Sequence, residues 1–385
     1  METQNSEHAS EHIIDVVEDF SCPSQTEAYR TAYQKWRRME KNRYAFRCKK
    51  HPKEATFSES KAVVTETPAQ IEQGVLNRIG YLIGCLLIMY LVVENVLDKL
   101  IVLVLNAMGF HVAMPFWGSA IYGDETAVFI SVLIVSVLKY LLPALLLQLV
   151  LRMPLRVSLP MRVAKADTLL FGIVLIMMVS AGLGMFLVSS SDELEKYKLI
   201  CNAVGMENHR MVLYMLFTIF AIPIMSELLL HGALFQLLRQ FGDGFAMIVV
   251  SLLVACLMHN FQDSLRAGLV TFIISYFVLR SGSFLTAILL HIVHEIYMFA
   301  LFYIETFGEV YSLQWWMTIL MPCILGLPAG FYMLWHRNAS DEELLKNKTF
   351  LKLPDKIIAF FSSFPILGLV ISCIALTVIT AVIAS

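Results

Sequence analysis

Nine long apolar runs are the feature of this sequence that most constrains its fold. Crossing about 30 Å of hydrocarbon takes about 20 predominantly apolar residues in a helix, and most of the runs approach that length. Short connectors separate them and carry most of the charges that follow the polar amino-terminal region. The runs are Arg78–Leu105, Ala127–Leu151, Thr168–Ser189, Met211–Leu238, Phe245–His259, Ala267–Leu279, Phe284–Tyr303, Trp315–Trp335 and Ile357–Ala384.

The composition also indicates a membrane protein. Of the 385 residues, 58% are apolar and only 16% are charged, which leaves too little polar surface for a soluble domain of this length. We therefore predict an all-α fold, a polytopic transmembrane helix bundle of eight or nine spans. The first run is interrupted by Glu94, Asp98 and Lys99. The fifth and sixth runs are short and closely connected, which predicts a hairpin.

The polar residues 1–77 are predicted to form a cytoplasmic, partly ordered amino-terminal segment, and residues 78–385 the transmembrane domain. The segment opens with acidic residues from Glu2 to Asp19, so no signal peptide is expected. A basic and aromatic stretch from Tyr33 to Lys53 follows. It is interpreted either as a cytosolic arm or as a patch that rests on anionic lipid headgroups. No nucleic-acid-binding motif accompanies it, so nucleic acid is not an expected partner.

The placement of lysine and arginine predicts the orientation. The amino-terminal segment and the loops Arg152–Lys165 and Arg337–Lys356 are basic, whereas Ala107–Thr126 and Glu305–Gln314 contain neither residue. Basic loops stay in the cytoplasm. We therefore expect an integral protein of a cell membrane, of bacterial type, with its amino terminus in the cytoplasm.

Ionisable residues inside three of the runs are the candidate functional groups, because such residues are costly in a membrane. Glu227 lies four residues before His231, and His291 lies four residues before Glu295, so each pair shares one face of a helix. His259 ends the fifth run. Histidines and carboxylates are apt zinc ligands. The alternative is that they form hydrogen bonds that fasten helices together.

Three motifs in this region resemble those of the CPBP family of intramembrane metalloproteases, also called Abi, which includes the type II CAAX prenyl endopeptidases. The first is Ile-Pro-Ile-Met-Ser-Glu-Leu-Leu-Leu-His-Gly over 222–232. The second is Ala255–His259, and the third is His291–Glu295. Their order and spacing resemble the family's, within a family-like core of residues 211–304.

The resemblance implies a metal-dependent endopeptidase that cleaves a peptide or a lipidated protein segment within the membrane lipid. His259 and His291 would hold zinc, and Glu295 would complete the metal site or act as base. Ser226 would polarise water or substrate, and Glu227 is the further catalytic candidate.

The chain also departs from the family's pattern. The family's first motif has two glutamates and an arginine. Here the first glutamate falls on Ser226, so Glu227 matches only the second, and the arginine falls on His231. The pairing of Glu227 with His231 would then repeat a structural contact of the family. The family's third motif ends in Asn or Asp, where this chain has Glu295.

Two other residues are expected to be structural. His294 is rotated by about 100° from Glu295, which predicts a hydrogen-bonded contact between helices and not a ligand. Lys139 is expected to form an ion pair with Glu94 or Asp98.

Two other classes of function stay open at this point. One is a non-catalytic membrane scaffold, or a protein of the bacteriocin-immunity type. The other is a small transporter that uses the intramembrane histidines as a proton relay.

Overall fold

The computed structural model describes residues 13–14, 25–49, 67–114, 122–187, 209–307, 313–335 and 349–384. The acidic residues at the start and most of the Arg337–Lys356 loop, on which two of the predictions above rest, lie outside these ranges. The α-helices are α1 (Glu27–Arg38), α2 (Pro68–Val92), α3 (Asp98–Ala107), α4 (Glu125–Ser136), α5 (Leu142–Leu151), α6 (Leu155–Ser158), α7 (Ala166–Leu187), α8 (His209–Leu216), α9 (Ile222–Glu227), α10 (Phe235–Leu238), α11 (Asp243–Leu257), α12 (Phe261–Ser281), α13 (Phe284–Phe307), α14 (Leu313–Trp335), α15 (Leu353–Phe361) and α16 (Phe364–Ala384).

Within the described ranges, four π-helical segments join several of these helices into longer ones. They are π1 (Val93–Leu97), π2 (Val137–Leu141), π3 (Phe217–Ala221) and π4 (Leu228–Leu234). A 3₁₀ turn, Arg239–Phe241, follows α10. Two short antiparallel pairs complete the description, β1 (Ile13–Ile14) with β2 (Cys48–Lys49) and β3 (Val112–Ala113) with β4 (Tyr122–Gly123).

The predicted all-α membrane bundle is confirmed. Seven helices in the described ranges are long and apolar enough to cross a membrane, and an eighth span is counted if α15 and α16, bent by 82°, form one. The fifth apolar run is the one that is not counted among these eight spans. Its helix, α11, has only 15 residues, or about 22 Å at 1.5 Å per residue. Its side chains are mostly buried, as in a helix of the bundle core.

The sixth run, in contrast, belongs to a longer helix than its apolar residues predict. Asn260 caps α12 by accepting a hydrogen bond from the Gln262 amide at 2.9 Å, so the helix begins well before the apolar run. Asp263 and Arg266 form a buried ion pair in its first turns. The predicted hairpin is present, since α11 and α12 pack along each other.

The amino-terminal segment packs against one end of the bundle. Tyr33 donates from its hydroxyl to the Gln236 carbonyl at 2.8 Å, and Trp36 donates from its ring nitrogen to the Leu151 carbonyl at 2.9 Å. Both side chains are buried, and burial raises the pKa of Tyr33 well above its usual range. The predicted basic patch is therefore divided: Arg37 is buried in the contact, while Lys35 and Arg38 are exposed.

Residues from distant parts of the chain meet at the same end. The Phe46 ring lies 6.0 Å from that of Phe241, and the Lys356 ammonium donates to the Phe241 carbonyl at 2.5 Å. Glu72, at the start of α2, accepts from the backbone amides of Phe350 and Leu351 at 2.8 and 2.9 Å. The amino-terminal segment, the 3₁₀ turn and the start of α15 therefore lie on one side of the membrane.

Candidate functional site

The candidate site is centred on Glu227, where α9 passes into π4. The carboxylate is buried, with 1% of its surface exposed. One of its oxygens pairs with Nδ1 of His231, and the other lies 2.6 Å from Nδ1 of His291 on α13. An ionised carboxylate only accepts hydrogen bonds, so both imidazoles donate to it from Nδ1. Glu227 thus holds two histidines from two helices.

The local sequence explains this geometry. The spacing of four residues brings His231 over Glu227 on one face of the helix. Immediately after His231, Gly232 has a non-helical backbone (ψ −125°), so the chain bends there. The Nε2 atom of His231 lies 2.8 Å from the Ser275 hydroxyl on α12. The two ring nitrogens of His231 therefore join π4 to both Glu227 and α12.

His291 is the most accessible member of this group. Its side chain is 20% exposed, whereas that of Glu227 is 1% exposed. With Nδ1 donating to Glu227, its Nε2 points the other way, to within 3.9 Å of a Glu295 carboxylate oxygen. This separation is too long for a direct hydrogen bond, and a water molecule that bonds to both atoms can span it. The imidazole thus lies between two carboxylates.

Ser226 and His294 make contacts of a different kind. The Ser226 hydroxyl is buried and donates to the Pro223 carbonyl of its own helix at 3.0 Å. The Nδ1 atom of His294 lies 2.9 Å from the Ser180 hydroxyl on α7. His294 therefore joins α13 to α7, the kind of helix contact expected for it.

His259 faces a partner that no pattern in the sequence indicates. Its Nε2 lies 3.4 Å from a carboxylate oxygen of Glu94 in π1. The other oxygen of Glu94 pairs with the Lys139 ammonium in π2, as predicted for Lys139. The Tyr90 ring centroid lies 4.6 Å from that ammonium, which adds a cation–π contact. Glu94 in π1, Lys139 in π2 and His259 in the turn between α11 and α12 form a second ionisable cluster.

The zinc site predicted from the resemblance is not assembled by these contacts. The residues that the structure describes contain no group of three or more His, Cys, Asp and Glu side chains that could hold a metal ion. His291 and Glu295 lie side by side, but His259 is directed to Glu94. The three predicted ligands therefore do not fit a three-ligand zinc centre.

Three of these contacts have no clear signal in the sequence. Glu94 was considered only as an interruption of an apolar run and as a candidate partner of Lys139, and its contact with His259 joins residues 165 positions apart. Ser180 and Ser275 occur in apolar helices, where serine is common and by itself carries no functional signal. Ionisable residues inside spans were the one usable signal, and they located both clusters.

A comparison with protein families finds one match. Residues 208–297 match the model of the Rce1-like family, described as type II CAAX prenyl endopeptidase Rce1-like. Comparisons with curated proteins and with solved structures find no match. The matched segment contains all three motifs, from Ile222 to Glu295, and leaves the rest of the chain, including Glu94 and Lys139, outside. The resemblance recognised from those motifs is thus confirmed, and residues 208–297 identify the chain as a membrane protein similar to the type II CAAX prenyl endopeptidases.

Proposed function

We propose that the protein is an intramembrane endopeptidase that cleaves a peptide or lipidated protein segment reaching the site from the membrane. The observation that carries this proposal is the position of His291, which is partly exposed and held between Glu227 and Glu295. A carboxylate that accepts from one ring nitrogen leaves the other as a base, which is the logic of a histidine–carboxylate pair in hydrolases. The match to a prenyl endopeptidase family supports the class of reaction.

The reaction follows from the residues present. A water molecule between His291 Nε2 and Glu295 gives a proton to Nε2 as its oxygen attacks the peptide carbonyl carbon. Glu227 stabilises the imidazolium that forms. The imidazolium then gives the proton to the leaving amine as the carbon–nitrogen bond breaks. The products are a carboxylic acid and an amine, and one water molecule is consumed.

Zinc binding stays a prediction, because the resemblance implies it while the described side chains do not form a site that fits it. The steps above use only side chains of the chain. The metal content of the purified protein is therefore a separate question from its turnover.

The proposed activity is tested in proteoliposomes that contain the full-length protein. The substrate is a farnesylated peptide ending in Cys-aliphatic-aliphatic-X, with its unprenylated counterpart beside it, and mass spectrometry measures the released tripeptide. We expect His291→Ala to lower turnover by about 10²–10⁴-fold, the usual contribution of a general base. His111→Ala, a change at an exposed histidine outside the site, is the matched control.

A non-catalytic scaffold is the second candidate, and a specific observation favours it. Both oxygens of Glu227 are occupied by histidines, and the contact with His291 fastens α9 to α13. The Ser226 hydroxyl is bound to a carbonyl of its own helix. Equal product release from the wild-type protein, His291→Ala and empty liposomes, with both peptides, would favour this second candidate.

A further inference from the structure

A shallow groove on α2 lies at the membrane surface that faces the amino-terminal segment. Its volume is about 470 Å³. The groove is lined on α2 by Gly74, Asn77, Arg78, Tyr81, Leu82 and Cys85, and Tyr44 of the amino-terminal segment borders it. Spacings of three and four residues place Gly74, Asn77, Arg78, Tyr81 and Cys85 on one face of the helix, and each of these is exposed.

The lining changes from polar to apolar along the helix. Asn77 and Arg78 lie where the first apolar run begins. Leu82 and Cys85 follow, and Cys85 lies about 10 Å farther along the helix axis than Arg78. Tyr81, which is 58% exposed, stands between them. An aromatic ring with a polar tip is typical of the headgroup level of a bilayer.

Arg78 is held in place at the polar end. Its Nη1 donates to the Arg43 carbonyl at 2.8 Å, which ties α2 to the amino-terminal segment. That bond uses one of the five N–H donors of the guanidinium. The planar group suits the paired oxygens of a phosphate. Arg43, whose carbonyl accepts this bond, and Lys41 have exposed side chains, so they add positive charge to the segment that Arg78 contacts.

The space beside Gly74 is open. A Cβ atom at this position would meet no atom within 4 Å, so the space beside α2 is open there. The neighbouring glycines, Gly80 and Gly84, differ because a Cβ on either would come within 2.6 Å of α15 or α16 or the short turn between them. The outer face of α2 is therefore open at Gly74, while Gly80 and Gly84 allow the inner face to pack closely.

We propose that this groove binds one anionic phospholipid, with its phosphate against Arg78 and its first acyl methylenes along Leu82 and Cys85. A phospholipid is the occupant that matches both ends of the groove, since a phosphate meets the arginine at the membrane surface and hydrocarbon meets the apolar end. The bound lipid would bridge α2 and the amino-terminal segment beside the Arg78–Arg43 hydrogen bond. This site is separate from the candidate active site.

Native mass spectrometry of the full-length protein, released from nanodiscs of phosphatidylglycerol and phosphatidylcholine in equal amounts, tests the proposal. We expect the wild-type protein to retain phosphatidylglycerol in preference to phosphatidylcholine. Arg78→Gln should lower that preference about fivefold, the scale for one basic residue near an anionic surface. Arg280→Gln, at an exposed arginine on α12, is the matched control and should leave it unchanged.

A second pair of variants changes the space in the groove and leaves its charge unchanged. Gly74→Trp should fill the hollow and lower retention of phosphatidylglycerol, whereas Gly74→Ala should not. The thermal unfolding temperature of each variant in detergent reports whether it folds. Glycerol phosphate, which has the headgroup chemistry without acyl chains, should not displace the lipid.

Three results would overturn the proposal. They are equal retention of the two lipids by the wild-type protein, equal effects of Arg78→Gln and Arg280→Gln, and equal retention by Gly74→Trp and Gly74→Ala. Displacement by glycerol phosphate would assign the groove to a soluble phosphate compound instead.

Discussion

Both carboxylate oxygens of Glu227 contact imidazoles, and the side chain is almost fully buried in the bundle. Burying a carboxylate is costly unless hydrogen bonds satisfy its oxygens. Two histidine N–H groups do so here, one from π4 and one from α13. The same two contacts hold His291 with its Nε2 facing Glu295, so the stability of the bundle and the geometry of the candidate site depend on one side chain.

Glu227→Gln tests this dependence. The glutamine amide can accept from one imidazole, but its NH₂ group then faces the N–H of the other. Leaving a buried donor without an acceptor costs about 1–3 kcal/mol. We expect the free energy of unfolding in mixed micelles to fall by that amount. Glu40→Gln, at an exposed residue after α1, is the control and should have little effect.

The position of His259 leads to a prediction about metal. His259 faces Glu94 and does not join His291 and Glu295 in a group that could hold a metal ion. We therefore expect His259→Ala to leave the metal content of the purified protein unchanged, as measured by elemental analysis. A loss of about one zinc ion per chain in this variant would instead support the three-ligand site of catalytic zinc enzymes.

At the scale of elements, three ionisable groups inside the bundle lie in π-helical segments. Glu94 lies in π1, Lys139 in π2 and His231 in π4. A π-helical turn is rare and is often found at functional sites. Here π1 and π2 face each other with the ion pair between them, and π2 also packs against α9. The second cluster therefore adjoins the helix that carries Glu227.

The Glu94–Lys139 pair lends itself to a double-mutant cycle. Lys139→Met leaves the Glu94 charge in a largely buried place, and breaking such a pair costs about 3–5 kcal/mol. We expect the double variant Glu94→Gln with Lys139→Met to lose less stability than the sum of the single variants. Chemical unfolding in micelles measures all four proteins. Additive losses would mean that the two side chains do not stabilise each other.

Helix α2 packs closely against α15 and α16, and glycines allow this contact. A Cβ at Gly84 would lie 2.6 Å from the Ile366 amide nitrogen, closer than real contacts allow. Gly84→Ala should therefore destabilise the protein by about 1–3 kcal/mol, the usual cost of overpacking. Gly74→Ala, the same change on the same helix with open space around it, should be neutral or stabilising by up to about 1 kcal/mol. Unfolding of both variants under one condition compares them directly.

At the scale of the whole molecule, contacts at one end of the bundle place the amino-terminal segment, the 3₁₀ turn and the start of α15 on the same side. The positive-inside rule predicts that this side is the cytoplasm. Cysteines at exposed positions test the prediction: Arg43→Cys and Lys352→Cys on this side, and Met108→Cys, after α3, on the other.

We expect a membrane-impermeant maleimide, applied to intact cells, to label Met108→Cys only. The background protein lacks its native cysteines, since Cys85 is exposed. Labelling of Arg43→Cys and Lys352→Cys together, without Met108→Cys, would reverse the orientation. Labelling of only one of those two would contradict their common side.

The sequence by itself determined the class of fold and the location of the site along the chain. Apolar runs near the length of a bilayer crossing form helices, because in hydrocarbon each run must satisfy its backbone hydrogen bonds within itself. Ionisable residues inside such runs are few, so Glu227, His231, His259, His291 and Glu295 stood out without a structure. Their motifs were also enough to indicate the family that residues 208–297 match.

Only the tertiary structure decided which of these residues meet. Spacing along one helix fixes a shared face, as for Glu227 with His231, but it carries no information about the rotation and depth of a neighbouring helix. For this reason the partners of His291 and His259 were not predictable: Glu227 holds the first, and Glu94 faces the second. The contact of Trp36 with the bundle was not predictable either. Its acceptor is a backbone carbonyl, and every residue has one.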